Sequence, residues 1–276
     1  MNSDLCRIEN NTLVTLWNCG FFSCMSQRLS CIISYAHIKK VYPSKIDSSA
    51  QFEVAKPIAG DLKTDVTHRF LRTNIQNIPK YIPEIKFTDQ FTDYKKLDYS
   101  HLNPIIKTYF EPSTEVYAKI NEYKQLLDID YENTCGIFYR GNDKWKECKI
   151  ASHEDFIYKA LELKEQNPNI KFYVQTDEEV FLQKFIKKFP DSVYIDELER
   201  MDNKESIVGF QLERGTDTRI NHSIQLVAAV NLLAKCKILI THTGNCGFWS
   251  VLYRGHKNNL IQYYSDNHNK NIGKWI

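Results

Sequence analysis

The sequence contains no Cys-x-x-Cys pair, no Gly-x-Gly-x-x-Gly, no Asp-x-Asp pair flanked by strands and no long apolar run. Each absence removes a class of function. The eight cysteines, at 6, 19, 24, 31, 135, 148, 236 and 246, lack the paired spacing of zinc ribbons and fingers. Several lie in apolar segments, where a thiol behaves as a small hydrophobe, so reduced cysteines are expected. No stretch reaches the roughly 18 apolar residues of a membrane span. The segment Met1 to Asn11, with Asp4, Arg7 and Glu9, lacks the basic-then-apolar order of a secretory signal. A soluble, cytoplasmic protein is the expectation. Lys and Arg total 36 against 34 Asp and Glu, a net charge of +2 that gives no electrostatic reason to bind nucleic acid. With 10 Gly and 8 Pro there is no low-complexity tract.

What is there is the patterning of an α/β protein. The chain of 276 residues is long enough for two modest domains. Past residue 130, β-branched runs alternate with amphipathic stretches, predicting strands at Cys135–Tyr139, Lys171–Gln175, Ser192–Ile195, Lys237–Thr241 and Asn259–Tyr263. Between them, Phe156, Ile157, Ala160 and Leu161, then Phe181, Phe185 and Phe189, then Leu226, Val227, Val230 and Leu233 recur at helical spacing. That order makes a parallel sheet covered on both faces. The first half opens with a strand at Thr12–Trp17, a turn at Asn18–Gly20 and a helix over Ser26–Lys39, followed by a short strand at Lys45–Asp47. The stretch Phe52–Ser100, broken by Pro57, Pro79 and Pro83, reads as irregular. A helix at Thr114–Leu127 leads to a boundary near 130, giving an N-terminal α/β domain, 1–130, and a C-terminal one, 131–276. Two facing Rossmann-type domains with a cleft between them are expected.

In doubly wound sheets ligands collect at the carboxyl ends of the strands. The residues there are Arg140 to Lys144, Thr176-Asp177, and His242 to Gly247. Arg140 ends a strand and is followed by Gly141, Asn142, Asp143 and Lys144. A guanidinium takes two phosphate oxygens in a fork and stays charged at any working pH. It can stabilise the charge that grows on a diphosphate leaving group. Thr241 and the loop Thr243-Gly244-Asn245-Cys246-Gly247 precede a predicted helix whose N-terminal amides suit an anion.

These segments, with Phe172 to Glu178 and Leu233 to Thr241, resemble the C-terminal domain of the fucosyltransferase superfamily. That superfamily includes core α1,6-, chitin-oligosaccharide and protein O-fucosyltransferases. The resemblance spans about 140 residues in the order of the family's arginine motif, a strand ending in Ser/Thr-Asp, and a strand ending in a small-residue loop. It implies a GT-B fold and metal-independent, inverting transfer from a nucleoside-diphosphate sugar, GDP-fucose favoured, to a hydroxyl of a glycan or protein. No cofactor beyond the donor is implied. By position, Arg140 matches the family's essential arginine, and Asp143 and Lys144 match the acid and base after it. Glu147 lies one residue off the glutamate proposed as general base. Gly20 and Phe21 occupy the place of the first glycine-rich loop, and Asp177 and His222 stand near the donor. Three positions depart from the pattern: Phe138 replaces the motif's histidine, Gly141 its second arginine, and Ala229 an aspartate that reads guanine.

Plainer readings remain beside these. Arg140 can pair with Asp143 at a surface, acidic Asp177 suits a helix start, and His222 lies beside good N-cap residues. Trp249 and Tyr253 at helical spacing suit a core. A non-catalytic nucleotide-sugar or glycan-binding relative is the alternative function, and the missing Gly-x-Gly-x-x-Gly disfavours a dehydrogenase.

Overall fold

The computed structural model describes residues 4–82, 84, 89–202, 212, 217–267 and 272–276. The chain divides into two compact units, one of Met1–Asp89, Asp98–Lys119 and Gly209–Ala228, the other of Gln90–Leu97, Ile120–Val208 and Ala229–Ile276.

In the first unit, β1 (Cys6–Glu9) and β2 (Thr12–Thr15) form an antiparallel hairpin. Its two turn residues, Asn10 and Asn11, both have positive φ, 47° and 63°, the geometry that matches strand twist and that asparagine tolerates. The hairpin partner β1 was not expected from the pattern. From β2 the chain enters α1 (Phe21–Lys39) and returns as β3 (Ile46–Asp47), parallel to β2. Leu29, Ile32, Ile33 and Ala36 face inward as the spacing predicts. The helix starts at Phe21 rather than Ser26. The reason is packing: the Phe21 ring lies 5.3 Å from Phe52 and 4.7 Å from Phe70, and burying such rings contributes roughly 1.5–3 kcal/mol each. Between them the segment that read as irregular contains β4 (Leu71–Arg72), which pairs with β5 (Glu111–Pro112). Helix α2 (Tyr99–Tyr109), capped by Asp98, fills the gap before β5, and α3 (Thr114–Leu126) follows.

The second unit holds a five-stranded sheet in the order β10-β9-β8-β6-β7. Its members are β6 (Thr134–Tyr139), β7 (Lys171–Thr176), β8 (Ile238–His242), β9 (Leu260–Ser265) and β10 (Gly273–Trp275). All neighbours are parallel except β10, an antiparallel edge that the pattern did not predict. Helices α4 (His153–Gln166) and α5 (Glu179–Lys188) cover one face. There Ile137, Tyr139, Phe172 and Val174 meet Phe156, Phe181 and Phe185 in one apolar cluster. Helix α6 (Thr218–Lys235) packs through Ala229 and Leu233 on the other face, where Tyr173 Oη donates to the Ala229 carbonyl at 3.4 Å. Helix α7 (Asn245–Arg254) follows β8.

The strand expected at Ser192–Ile195 is reduced to a single bridge, Tyr173 with Val193. Val193 pairs with β7 on both sides, but the Ile195 carbonyl accepts instead from the Arg200 guanidinium at 2.9 Å, which ends the ladder. Strand β9 begins one residue later than predicted because Asn259 has a φ of 54°.

Candidate functional site

The chain runs from β6 through α4 to β7 on one side, then crosses to β8 on the other side of β6. The carboxyl ends of β6 and β8 therefore flank a topological switch point, the place where open α/β sheets bind ligands. Arg140 follows β6 there, and His242 ends β8. The Arg140 backbone N–H donates to His242 Nε2 at 2.7 Å, and His242 Nδ1 lies 2.8 Å from the Thr243 carbonyl. That carbonyl can only accept, so the ring carries its proton on Nδ1. Burial holds the His242 pKa down to about 3, with Lys144 and Arg140 also disfavouring its cation. Phe138, which stands where the resemblance has a histidine, stacks its ring against His242 at 6.2 Å.

The Arg140 guanidinium forks between two carboxylates, Asp177 through Nη1 and Asp143 through Nη2. Asp177 does more than pair with it. Its Oδ1 accepts from the Gly141 N–H and its Oδ2 from Asn142 Nδ2, each at 2.9 Å. Asp177 thus ties the turn after β6 to the end of β7. An anion reaching Arg140 must compete with both carboxylates.

Lys144, almost fully buried, donates from Nζ to Gln90 Oε1 and Glu147 Oε2, each at 2.7 Å, and lies over the Phe91 ring at 5.0 Å. Its Nζ is 4.0 Å from the position a Cβ on Gly244 would take. Gly244 caps α7, where no side chain caps the helix and no acidic residue enters the first turn. A fixed ammonium beside a helix N-terminus is favourable for an anion and for nothing positive. Cys246, in that first turn, feels both Arg140 and Lys144, yet burial dominates and pushes its thiol up to about 11. It is therefore a poor nucleophile at neutral pH.

The structure brings Arg140, Asp143, Lys144, Glu147, Asp177 and the loop 243–247 together in the second unit. Thr241 and Thr243 are there too, but fully buried. Thr241 lies against the helix start at Gly247, and Thr243 Oγ1 accepts from the Ser265 N–H at 2.9 Å, so both support the loop from beneath. Glu147 is exposed and holds Lys144. Gly20, Phe21 and His222 lie in the first unit. Gly20 opens α1, and the Phe21 side chain is in the core rather than facing solvent. His222 Nδ1 is buried with no hydrogen-bond partner among the described residues, and burial lowers its pKa to about 4. Ala229 is buried against Tyr173, so its side chain reads no ligand.

Sequence reasoning missed several contributors. Tyr94 Oη donates to the Gly244 carbonyl and accepts from the Gly244 N–H, both at 3.1 Å, and its own N–H reaches Gln262 Oε1 at 2.8 Å. Gln90, Phe91 and Tyr94 come from the proline-broken stretch that showed no periodicity. His242 was read only as the first residue of the strand-end stretch 242–247, Glu178 only as the end of the segment Phe172 to Glu178, and His153 was not singled out. Among the described residues no group of three or more His, Cys, Asp or Glu is placed to hold a metal ion, and no helix is long and apolar enough to cross a membrane.

The fold matches that of GT-B fucosyltransferases of known structure. It superposes on the fucosyltransferase NodZ from Bradyrhizobium with a TM-score of 0.56 and 13% identity, covering 95% of this chain and 97% of that one. NodZ alpha-1,6-fucosyltransferase soaked with GDP-fucose gives the same TM-score and identity over 96% of this chain and 98% of that one. NodZ co-crystallised with GDP also gives 0.56 and 13%, over 95% and 97%. No family model and no curated protein matches the sequence.

Proposed function

We propose that the chain is a glycosyltransferase that moves fucose or a related sugar from a nucleoside-diphosphate donor, GDP-fucose favoured, to a hydroxyl of a glycan or protein. Transfer is inverting and needs no metal. Residues 131–276 take the donor and residues 1–130 the acceptor. The observation that carries this reading is the convergence of Arg140, Lys144 and the α7 N-terminus at the switch point. Two fixed cations and a helix dipole supply what a departing diphosphate needs, stabilisation that grows as the glycosidic bond breaks. The NodZ structures with GDP and GDP-fucose support a guanosine donor.

The deciding experiment is a donor screen by calorimetry with GDP, UDP and dTDP, repeated on Arg140→Lys. That variant keeps a cation against Asp143 and Asp177 but loses the fork. GDP binding by the unaltered chain, weakened about tenfold or more in the variant, is the expected result. Equal affinity of the two proteins for every diphosphate overturns the site.

One observation favours binding without transfer. Glu147, the carboxylate nearest the family's proposed base, already accepts from Lys144 Nζ at 2.7 Å and from Gln90 Nε2 at 3.2 Å. Donor binding with neither transfer nor donor hydrolysis selects that reading.

A further inference from the structure

Glu178 is the N-cap residue of α5, yet its carboxylate makes no capping bond to its own helix. It turns instead toward the turn after β6. There Oε1 accepts from the Asn142 N–H at 2.8 Å, and Oε2 lies 2.8 Å from His153 Nε2. The side chain is almost fully buried, with 5% of the residue exposed. Two successive acids at the end of β7 therefore hold two successive amides, Asp177 that of Gly141 and Glu178 that of Asn142.

The consequence falls on position 141. Gly141 has a φ of −99°, so left-handed freedom is not what selects glycine there. Space is: a Cβ on residue 141 would overlap the Glu178 carboxylate. The next residue, Asn142, is held at a φ of 40°, uncommon for a residue with a side chain, by bonds to both acids. His153 is the first residue of α4, and its ring meets the edge of Tyr139 at 5.1 Å, which fixes it against Glu178.

We propose that Glu178, braced by His153, is a positioning residue that sets the Arg140 turn and closes position 141 to any side chain, making this a one-arginine diphosphate site. The inference rests on the proposed donor site and adds to it a specificity device. The place where the resemblance has a second arginine is filled by the Glu178 carboxylate, and Lys144, beside Gly244, is the site's second cation.

The test uses the whole chain with Glu178→Ala, Glu178→Gln, Gly141→Ala and the double variant Gly141→Ala with Glu178→Ala. GDP affinity is read by calorimetry and the melting midpoint by calorimetric scanning. Glu178→Ala is expected to weaken GDP binding about tenfold, as loss of a buried acceptor does. Glu178→Gln, which can still accept from the Asn142 N–H, stays within about threefold of the unaltered chain. Gly141→Ala lowers the melting midpoint, and adding Glu178→Ala recovers it toward that of Glu178→Ala alone, the non-additivity expected when the added methyl meets the Glu178 carboxylate. Additive losses in the double variant, or unaltered GDP affinity in Glu178→Ala, overturn the inference while leaving the donor site standing. Absence of saturable GDP binding by the unaltered chain removes the donor site, and with it this role for Glu178, even when the 141–178 coupling is present.

Discussion

The backbone N–H of Arg140 is bonded to Nε2 of His242, so the residue that presents the guanidinium is fixed by a ring on the neighbouring strand. The bond exists only while Nε2 has no proton. With its pKa held near 3 by burial, the folded state refuses a proton that the unfolded chain, with a histidine near 6.5, accepts. His222, lowered to about 4, behaves the same way. Between those values the unfolded state binds more protons, so stability rises with pH and is lost as pH falls below about 6.5. The melting midpoint is therefore expected to be flat around neutrality and to fall steeply from pH 6.5 towards 4. In His242→Asn the midpoint at pH 7 is lower, but the slope below 6.5 is reduced by about one proton. An unchanged slope in that variant contradicts the neutral, buried assignment.

Asp143 and Asp177 are brought together by Arg140, with side chains only 17% and 14% exposed. Arg140→Met leaves two carboxylates facing each other without their cation. Unfolding by urea at pH 7 is expected to show a loss on the order of 1–3 kcal/mol. Adding Asp177→Asn recovers part of it, because the repulsion is gone. If Arg140→Met is as stable as the unaltered chain, the guanidinium is not organising this corner. Loss of activity in a large-to-small Arg140 variant must for this reason be read beside its stability.

Lys144 and Glu147 differ in burial, the first 4% and the second 45% exposed at the side chain. The buried member faces the α7 loop, and the exposed one steadies it. Lys144→Met is expected to cost about a hundredfold in donor affinity, the scale of a lost charge-assisted contact. Glu147→Gln, whose carbonyl oxygen still accepts from Nζ, should change affinity and kcat by less than about tenfold. A fall in kcat of about a thousandfold at unchanged donor affinity would instead make Glu147 the general base. Steady-state kinetics on the two variants separate these roles.

The parallel sheet and its helices were legible because each strand is a short apolar run and each covering helix repeats at three and four residues. Arg140, Lys144 and the loop 243–247 were legible for a related reason: polar residues and glycine directly after such runs mark strand ends. The partners that complete the site were not. Tyr94 bonds to Gly244 across 150 residues of sequence, and Arg140 to His242 across 102. No local pattern encodes either pairing. The signal that was available is His242 itself, an ionisable residue closing the run Ile238-Leu239-Ile240-Thr241. Phe21 was misplaced because a residue beside a turn glycine reads as a loop residue, whereas the rings of Phe52 and Phe70 draw it into the core and start α1 early.

Two glycines of the α7 loop look alike in sequence and differ in what their hydrogens face. A Cβ on Gly247 would overlap Thr241 Oγ1 and lie 2.6 Å from the His242 carbonyl, which are the last two residues of β8. The first turn of α7 thus presses directly on the strand that carries the Arg140 acceptor, and Thr241 is too buried to move aside. At Gly244 the nearest atom is Lys144 Cε at 3.6 Å, ordinary contact with a side chain, and the φ of 162° is extended backbone. Gly247→Ala is expected to cost about 1–3 kcal/mol, the range for overpacking a filled core, read as a lower urea midpoint at unchanged slope. Gly244→Ala should stay within about 0.5 kcal/mol, because its methyl meets only ordinary contacts, while placing that methyl beside Lys144 Nζ weakens GDP binding. If Gly247→Ala is neutral and Gly244→Ala destabilises, the close contact between α7 and β8 is not what holds the loop beside Arg140.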